Sequence, residues 1–185
     1  MPPPIWFLDI DGVLNSWDSP DPRCGRYTVA WVPVLGQSVR VEYSPTIVDR
    51  INDLHRSGRV EVVWLTSWND HARTQLAPEI GLMDFHVVPE PHERTTRWSA
   101  LPGTDATWWK VGRILEHIVA HPDRPYIWTD DCLTKADERT LRDAGGPPSL
   151  LVTVPRTPGL THTDLDRIEQ FCSVVRGITE NRSVE

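Results

Sequence analysis

The sequence predicts an α/β fold, a three-layer sandwich around a central, mainly parallel sheet, and three observations carry that expectation. Short apolar runs without polar alternation recur along the chain, as strands covered on both faces require. They alternate with segments of helical period that are punctuated by Pro and Gly. Three of the runs end in acidic or hydroxyl side chains, at the edge where open α/β sheets bind their ligands.

The first strand begins at Ile5, where Ile5, Trp6, Phe7, Leu8 and Ile10 are interrupted only by Asp9. Asp9 and Asp11 then fall at the carboxyl edge, and Gly12 lets the backbone turn sharply beside a ligand. Two carboxylates one residue apart repel each other unless a cation or a shared proton relieves them, so the pair predicts a divalent metal. A calcium loop fits poorly, because Val13, Leu14 and Trp17 follow where oxygen ligands and a final glutamate belong.

A polar, Pro-rich loop over 15–25 leads to two β-prone runs, Tyr27–Val32 and Ser38–Tyr43, around Gly36-Gln37. They form an expected hairpin flap over about 26–43 that projects over the acidic edge. Ser44-Pro45 starts a helix with the apolar stripe Ile47, Val48, Ile51 and Leu54, which stops near Gly58. The strand Val60–Leu65 delivers Thr66 and Ser67, and a helix is expected from Asn69 to Ala77 before Pro78 and Gly81 break the chain. Phe85–Val88 is a short third strand, and irregular structure is expected over 89–105.

Thr107 is expected to cap a helix whose inner face is Val111, Ile114, Leu115 and Ile118, with Lys110 in its first turn. The strand Tyr126–Trp128 ends in Thr129, Asp130 and Asp131. A helix from Lys135 to Ala144, a strand Leu150–Val154 and a helix Thr163–Val175 complete the pattern. One domain is expected over 1–178, with 179–185 a polar tail that frays.

At 185 residues, with 39% hydrophobic and 24% charged side chains, the chain has the composition of a soluble globular protein with a substantial core. No run is long and apolar enough to span a membrane, and no basic segment precedes the first apolar stretch, so a cytoplasmic protein is expected. Cys24, Cys132 and Cys172 are too scattered for a disulfide framework. The net charge of −7 argues against broad electrostatic binding of nucleic acid while leaving room for a small phosphorylated ligand. Lys110 and Lys135 are the two lysines of a chain that otherwise uses arginine, which draws attention to Lys110.

Asp9 and Asp11, then Thr66 and Ser67, then Lys110, then Asp130 and Asp131 form an ordered set. Taken singly, each has an ordinary reading: a turn, a helix cap, a solvated lysine. Together, in this order, the chain resembles the haloacid dehalogenase superfamily of aspartate-nucleophile phosphatases, and the resemblance runs from Ile5 to about Cys132. It implies a Rossmann-like fold in which Asp9 attacks phosphorus and Asp11 serves as acid and then base. It further implies that magnesium is held by Asp9, the carbonyl of Asp11 and an acid of the Asp130-Asp131 pair, the two acids being left unresolved. Thr66 and backbone N–H groups near Ser67 would receive phosphate oxygens, and Lys110 would balance the charge.

Caps choose the leaving group in that superfamily, and here the hairpin and one helix occupy most of the segment between Asp11 and Thr66. A capless or minimally capped enzyme is therefore expected. Trp17, Trp31, Trp68, Trp98 and Trp108 fall where they can rim the cleft or pack in the core, and Arg94 and Arg97 can grip further phosphates. The wording Trp64-Leu65-Thr66-Ser67-Trp68 also resembles phosphatase-like domains associated with RNA repair proteins, implying a nucleotide or nucleic-acid end as phosphorylated partner. Two alternatives belong to other classes: a non-hydrolytic phosphate-binding or phospho-receiver module, and a metal-dependent glycosyltransferase. The first leaves Asp11 without a role, the second Lys110 and Asp130. His117 and His121 have zinc-compatible spacing without a third ligand, His71, His86 and His92 are incidental or line the cleft, and Cys132 is expected as a buried structural thiol.

Overall fold

The computed structural model describes residues 2–16, 27–91 and 108–182. In chain order the strands are β1 (Ile5–Leu8), β2 (Thr28–Val34), β3 (Gln37–Tyr43), β4 (Glu61–Trp64), β5 (His86–Val87), β6 (Tyr126–Asp130) and β7 (Ser149–Thr153). The α-helices are α1 (Pro45–Arg56), α2 (Ala77–Ile80), α3 (Trp109–Ala120), α4 (Lys135–Asp143) and α5 (His162–Arg182). Five strands form a sheet in the order β5-β4-β1-β6-β7, every neighbouring pair parallel, and β2 and β3 form a separate antiparallel hairpin.

β1 is central, with β4 on one side and β6 on the other, so their carboxyl ends converge where the chain order switches sides. Its side chains serve both layers. Trp6 and Leu8 join the core made with Ile47 and Ile51 of α1 and Leu165 and Ile168 of α5, whereas Ile5 and Phe7 join Val111 and Ile114 of α3 and Leu141 of α4. Full burial of each such side chain contributes about 1.5–3 kcal/mol, which is why the strand carries no polar alternation. The result is the expected three-layer, Rossmann-like sandwich. Arg50 of α1 ties the first layer together through Asp166 and Glu169 of α5, at 2.8 and 2.6 Å.

The hairpin docks on the α1 and α5 side through Val32 and Val41, both fully buried. Its two-residue turn is Leu35-Gly36, one position earlier than expected, because Leu35 (φ 49°) and Gly36 (φ 76°) both take positive φ and Gln37 pairs with Val34. Such a turn matches the twist of the flanking strands.

Other boundaries differ from the sequence expectation, most of them by one or two residues. After β4 a π-helical segment, Ala72–Leu76, continues into α2, so Pro78 lies within the helix; it sits in the first turn of α2, where an amide hydrogen is not needed. Gly81, at φ 82°, ends that helix. α3 starts at Trp109 with Trp108 in the cap position, while Thr107 lies outside the described residues. β6 runs on to Asp130, and α5 continues past Gly177 to Arg182, since no proline interrupts the polar residues that follow. Among the described residues no helix is long and apolar enough to cross a membrane.

Candidate active site

The carboxyl ends of β4, β1 and β6 lie side by side, and the turns that leave them carry the polar groups. After β1 the amides of Val13, Leu14 and Asn15 all donate to the Ile10 carbonyl, closing a tight loop over Asp9 to Asn15. Gly12 holds that loop open to the next strand: at φ 74°, a Cβ there would stand 2.6 Å from the carboxylate of Asp131. After β6 the Asp130 carboxylate accepts the Cys132 amide at 2.9 Å, which turns the chain out of the sheet. After β7 the Leu160 amide donates to the Val13 carbonyl at 2.9 Å, fastening the last loop to the first.

Lys110 reaches this edge from the first turn of α3. Its Nζ lies 2.8 Å from Asp9 Oδ2 and 2.7 Å from Asp130 Oδ2, and all three residues are buried. The rings of Trp108 and Trp109 stand 5.1 and 5.9 Å from the same nitrogen. Burial pushes the Asp9 carboxyl up to about 6, against the attraction of Lys110 and helped by the nearby Asp130. Burial also raises Asp130 in spite of Lys110. For Lys110 itself burial disfavours the ammonium, and the two carboxylates override it and hold the amine charged.

Asp9, Asp11, Ser67, Lys110, Asp130 and Asp131 line one cavity of about 260 Å³, with Trp108, Trp109, Cys132 and Arg156 at its walls. A groove of about 470 Å³ shares Asp11 and Ser67 with it and continues under the hairpin past Val39, Arg40, Trp68 and His71. A larger cavity of about 560 Å³ lies at the opposite end of the sheet, among Pro2–Pro4, Gly58, Pro125 and α5. No carboxylate lines it, and it faces the amino ends of the strands.

The donor set fits a small hard cation. Ligand atoms of Asp130, Asp131 and Cys132 lie within 4.8 Å of one another, and the carboxylate oxygens rather than the thiol suit magnesium. Two buried carboxylates raised above their ordinary range and sharing one ammonium are short of positive charge.

Of the residues singled out from sequence, Asp9, Asp11, Ser67, Lys110, Asp130 and Asp131 therefore meet in one cavity. Thr66 lies buried beneath it, where its Oγ1 accepts the Trp68 amide at 3.4 Å as a turn cap. Cys132 is exposed at the rim, not buried, because the turn after Asp130 sends its side chain outward and inserts Leu133 into the core instead. Its thiol is raised, first by desolvation, and accepts from Arg156 at 3.4 Å. His117 and His121 rings stand 4.9 Å apart, and no third metal ligand joins them among the described residues. His71 lines the groove and His86 is exposed. Trp31 is exposed on the outer face of the hairpin, and Trp68 sits against the core. Trp17, His92, Arg94, Arg97 and Trp98 lie outside the described residues.

Two groups, Arg156 and Asn15, and one contact, that of Trp68 with Asp11, escaped the sequence reading. Arg156 donates to Asp131 at 2.6 Å, and its signal was its place just past β7, at the same edge. Asn15 and Trp68 donate to the two oxygens of Asp11 at 3.0 and 2.8 Å. Asn15 was detectable as the residue four positions on in the same tight loop. For the Trp68 contact the sequence offered no signal.

A family model described as the HAD domain in Swiss Army Knife RNA repair proteins matches residues 5–165. No curated protein and no solved structure matches the chain.

Proposed function

The chain belongs to the family of haloacid dehalogenase (HAD) domains found in Swiss Army Knife RNA repair proteins, and on that premise we propose that it is a magnesium-dependent phosphomonoester hydrolase working through an aspartyl phosphate on Asp9. The observation that carries the reading is the single ammonium of Lys110 shared by Asp9 and Asp130, at the ends of adjacent strands and in one cavity with Asp11 and Asp131.

A phosphate monoester repels nucleophiles through its own oxygens, so catalysis consists mainly of neutralising and aligning. Lys110 offsets the negative charge that Asp9 and the phosphate bring together. Asp9 attacks phosphorus; the ester P–O bond breaks, its electron pair goes to the leaving oxygen, and Asp11 supplies the proton. Asp11 then takes a proton from water, the water oxygen attacks phosphorus, and the bond to Asp9 breaks to release inorganic phosphate. The backbone N–H groups near Ser67 donate to phosphate oxygens, and Thr66, buried beneath the cavity, holds that turn through its cap on Trp68. Asp9, the Asp11 carbonyl and an acid of the Asp130-Asp131 pair would hold a magnesium ion, which would supply further charge neutralisation there.

The family's association with RNA repair supports a nucleotide or a nucleic-acid end as the substrate. So does the indole of Trp68 in the groove that leads from Asp11, since aromatic faces stack on bases. Phosphate release from 5′- and 3′-phosphorylated oligonucleotides, mononucleotides and para-nitrophenyl phosphate, with magnesium or with chelator, tests both parts. Metal-dependent release that favours the nucleotides and is lost in Asp9→Asn supports the proposal. Equal turnover of all substrates removes the substrate assignment, and metal-independent release removes the mechanism.

A further inference from the structure

We infer that Trp68 and Asn15 are positioning residues for Asp11, and that Trp68 links a leaving group seated in the groove under the hairpin to the acid that protonates it; the inference rests on the phosphatase reading above. Trp68 Nε1 donates to Asp11 Oδ2 at 2.8 Å, and Asn15 Nδ2 donates to Asp11 Oδ1 at 3.0 Å. One donor on each oxygen fixes the plane of the carboxylate. Each oxygen keeps a second lone-pair site, so a leaving-group oxygen can still be met.

Both donors are themselves held. Asn15 Oδ1 accepts the Glu42 amide at 3.0 Å, which ties it to β3 of the hairpin. Trp68 is partly buried and packed against the core, at a turn whose next residue, Asn69, accepts the Glu90 amide at 2.7 Å. Asp11 is thus anchored from the hairpin on one side and from the β4 turn on the other.

The groove gives this clamp a direction. It starts at Asp11 and Ser67, shared with the acidic cavity, and runs between the hairpin residues Val39 and Arg40 and the side chains of Trp68 and His71. Its volume of about 470 Å³ lies within the range of about 300–1,000 Å³ usual for small-molecule sites. An alcohol leaving group of nucleoside size, entering with its phosphate over Asp9, lies along the same indole whose N–H holds the acid.

Leaving-group dependence separates positioning from simple packing. Trp68→Phe keeps an aromatic ring and removes the N–H. An alkyl phosphate such as a 5′-mononucleotide needs its leaving oxygen protonated, whereas para-nitrophenolate departs as an anion. The expected result is that kcat/KM falls at least about tenfold more for the nucleotide than for para-nitrophenyl phosphate, the effect of one lost hydrogen bond to a charged group. An equal fall for the two esters overturns the inference while leaving the phosphatase reading standing. Turnover of neither ester by the wild type overturns that reading and the inference with it. Should Trp68→Phe fail to fold, Asn15→Ser removes the other donor and carries the same comparison.

Discussion

The ammonium of Lys110 lies 2.8 Å from the carboxylate of Asp9, and the same nitrogen lies 2.7 Å from Asp130. One cation from α3 therefore serves the ends of two neighbouring strands, inside a site that water hardly reaches. Removing one partner from such a group leaves uncompensated buried charge, at a cost of about 3–5 kcal/mol. Lys110→Met is expected to lower the urea midpoint strongly at pH 8. Below pH 6, where Asp9 takes up a proton, the loss shrinks. A loss that does not depend on pH contradicts the shared-charge account.

Asp9 itself carries a cost in the metal-free protein. Burial pushes its carboxyl up to about 6 in the folded chain, against 3.8 for an ordinary aspartate. A raised acid contributes stability that is complete below 3.8 and lost as pH rises through 6. Asp9→Asn is therefore expected to match or exceed the wild type in thermal stability at pH 7.5 without metal, by about 1–3 kcal/mol, with the difference fading toward pH 4. Magnesium should raise the melting temperature of the wild type and move that of Asp9→Asn much less. A less stable Asp9→Asn at pH 7.5 contradicts this.

Gly12 brings the first and last motifs together. A methyl group at that position stands 2.6 Å from the Asp131 carboxylate, on a backbone at φ 74° that L residues rarely adopt. Gly12→Ala is expected to lose about 1–3 kcal/mol of stability and to weaken magnesium binding in the same step. Calorimetric titration of metal into a folded sample checks the second effect, and unchanged metal affinity counts against it.

His117 gives a pH dependence remote from the site. Burial first, then His121 and Arg124, push its imidazole down to about 4, and its Nε2 is buried without a partner. A base lowered from 6.5 contributes stability that is present above 6.5 and lost as pH falls toward 4. His117→Leu is expected to reduce the drop in urea midpoint between pH 7 and pH 5. An unchanged drop contradicts the assignment.

The sheet, its neighbouring helices and the acidic edge were readable because strands buried on both faces leave an unbroken apolar signal, as in Ile5–Leu8 and Tyr126–Trp128. Three of the four motifs followed from the same strand ends, and Lys110 from its place in the first turn of α3. Boundaries set by backbone detail were not readable: the π-helical segment that carries the chain through Pro78 depends on local hydrogen bonding, and the turn at Leu35 on a positive φ that leucine seldom takes. The pairings of Arg156 with Asp131 and of Trp68 with Asp11 span 25 and 57 residues, so the contacts themselves, unlike the place of both residues at this edge, lie beyond any local pattern. Cys132 was misplaced because its exposure is decided by the Asp130 side chain capturing the backbone beside it.

The covalent intermediate is the claim on which the mechanism turns. Mixing the wild type with magnesium and an oligonucleotide labelled in its terminal phosphate, quenching in acid within the first turnover and mapping the label tests it directly. The account predicts label on Asp9, released by hydroxylamine and absent from the Asp9→Asn protein. Phosphate release by Asp9→Asn at the wild-type rate would contradict it.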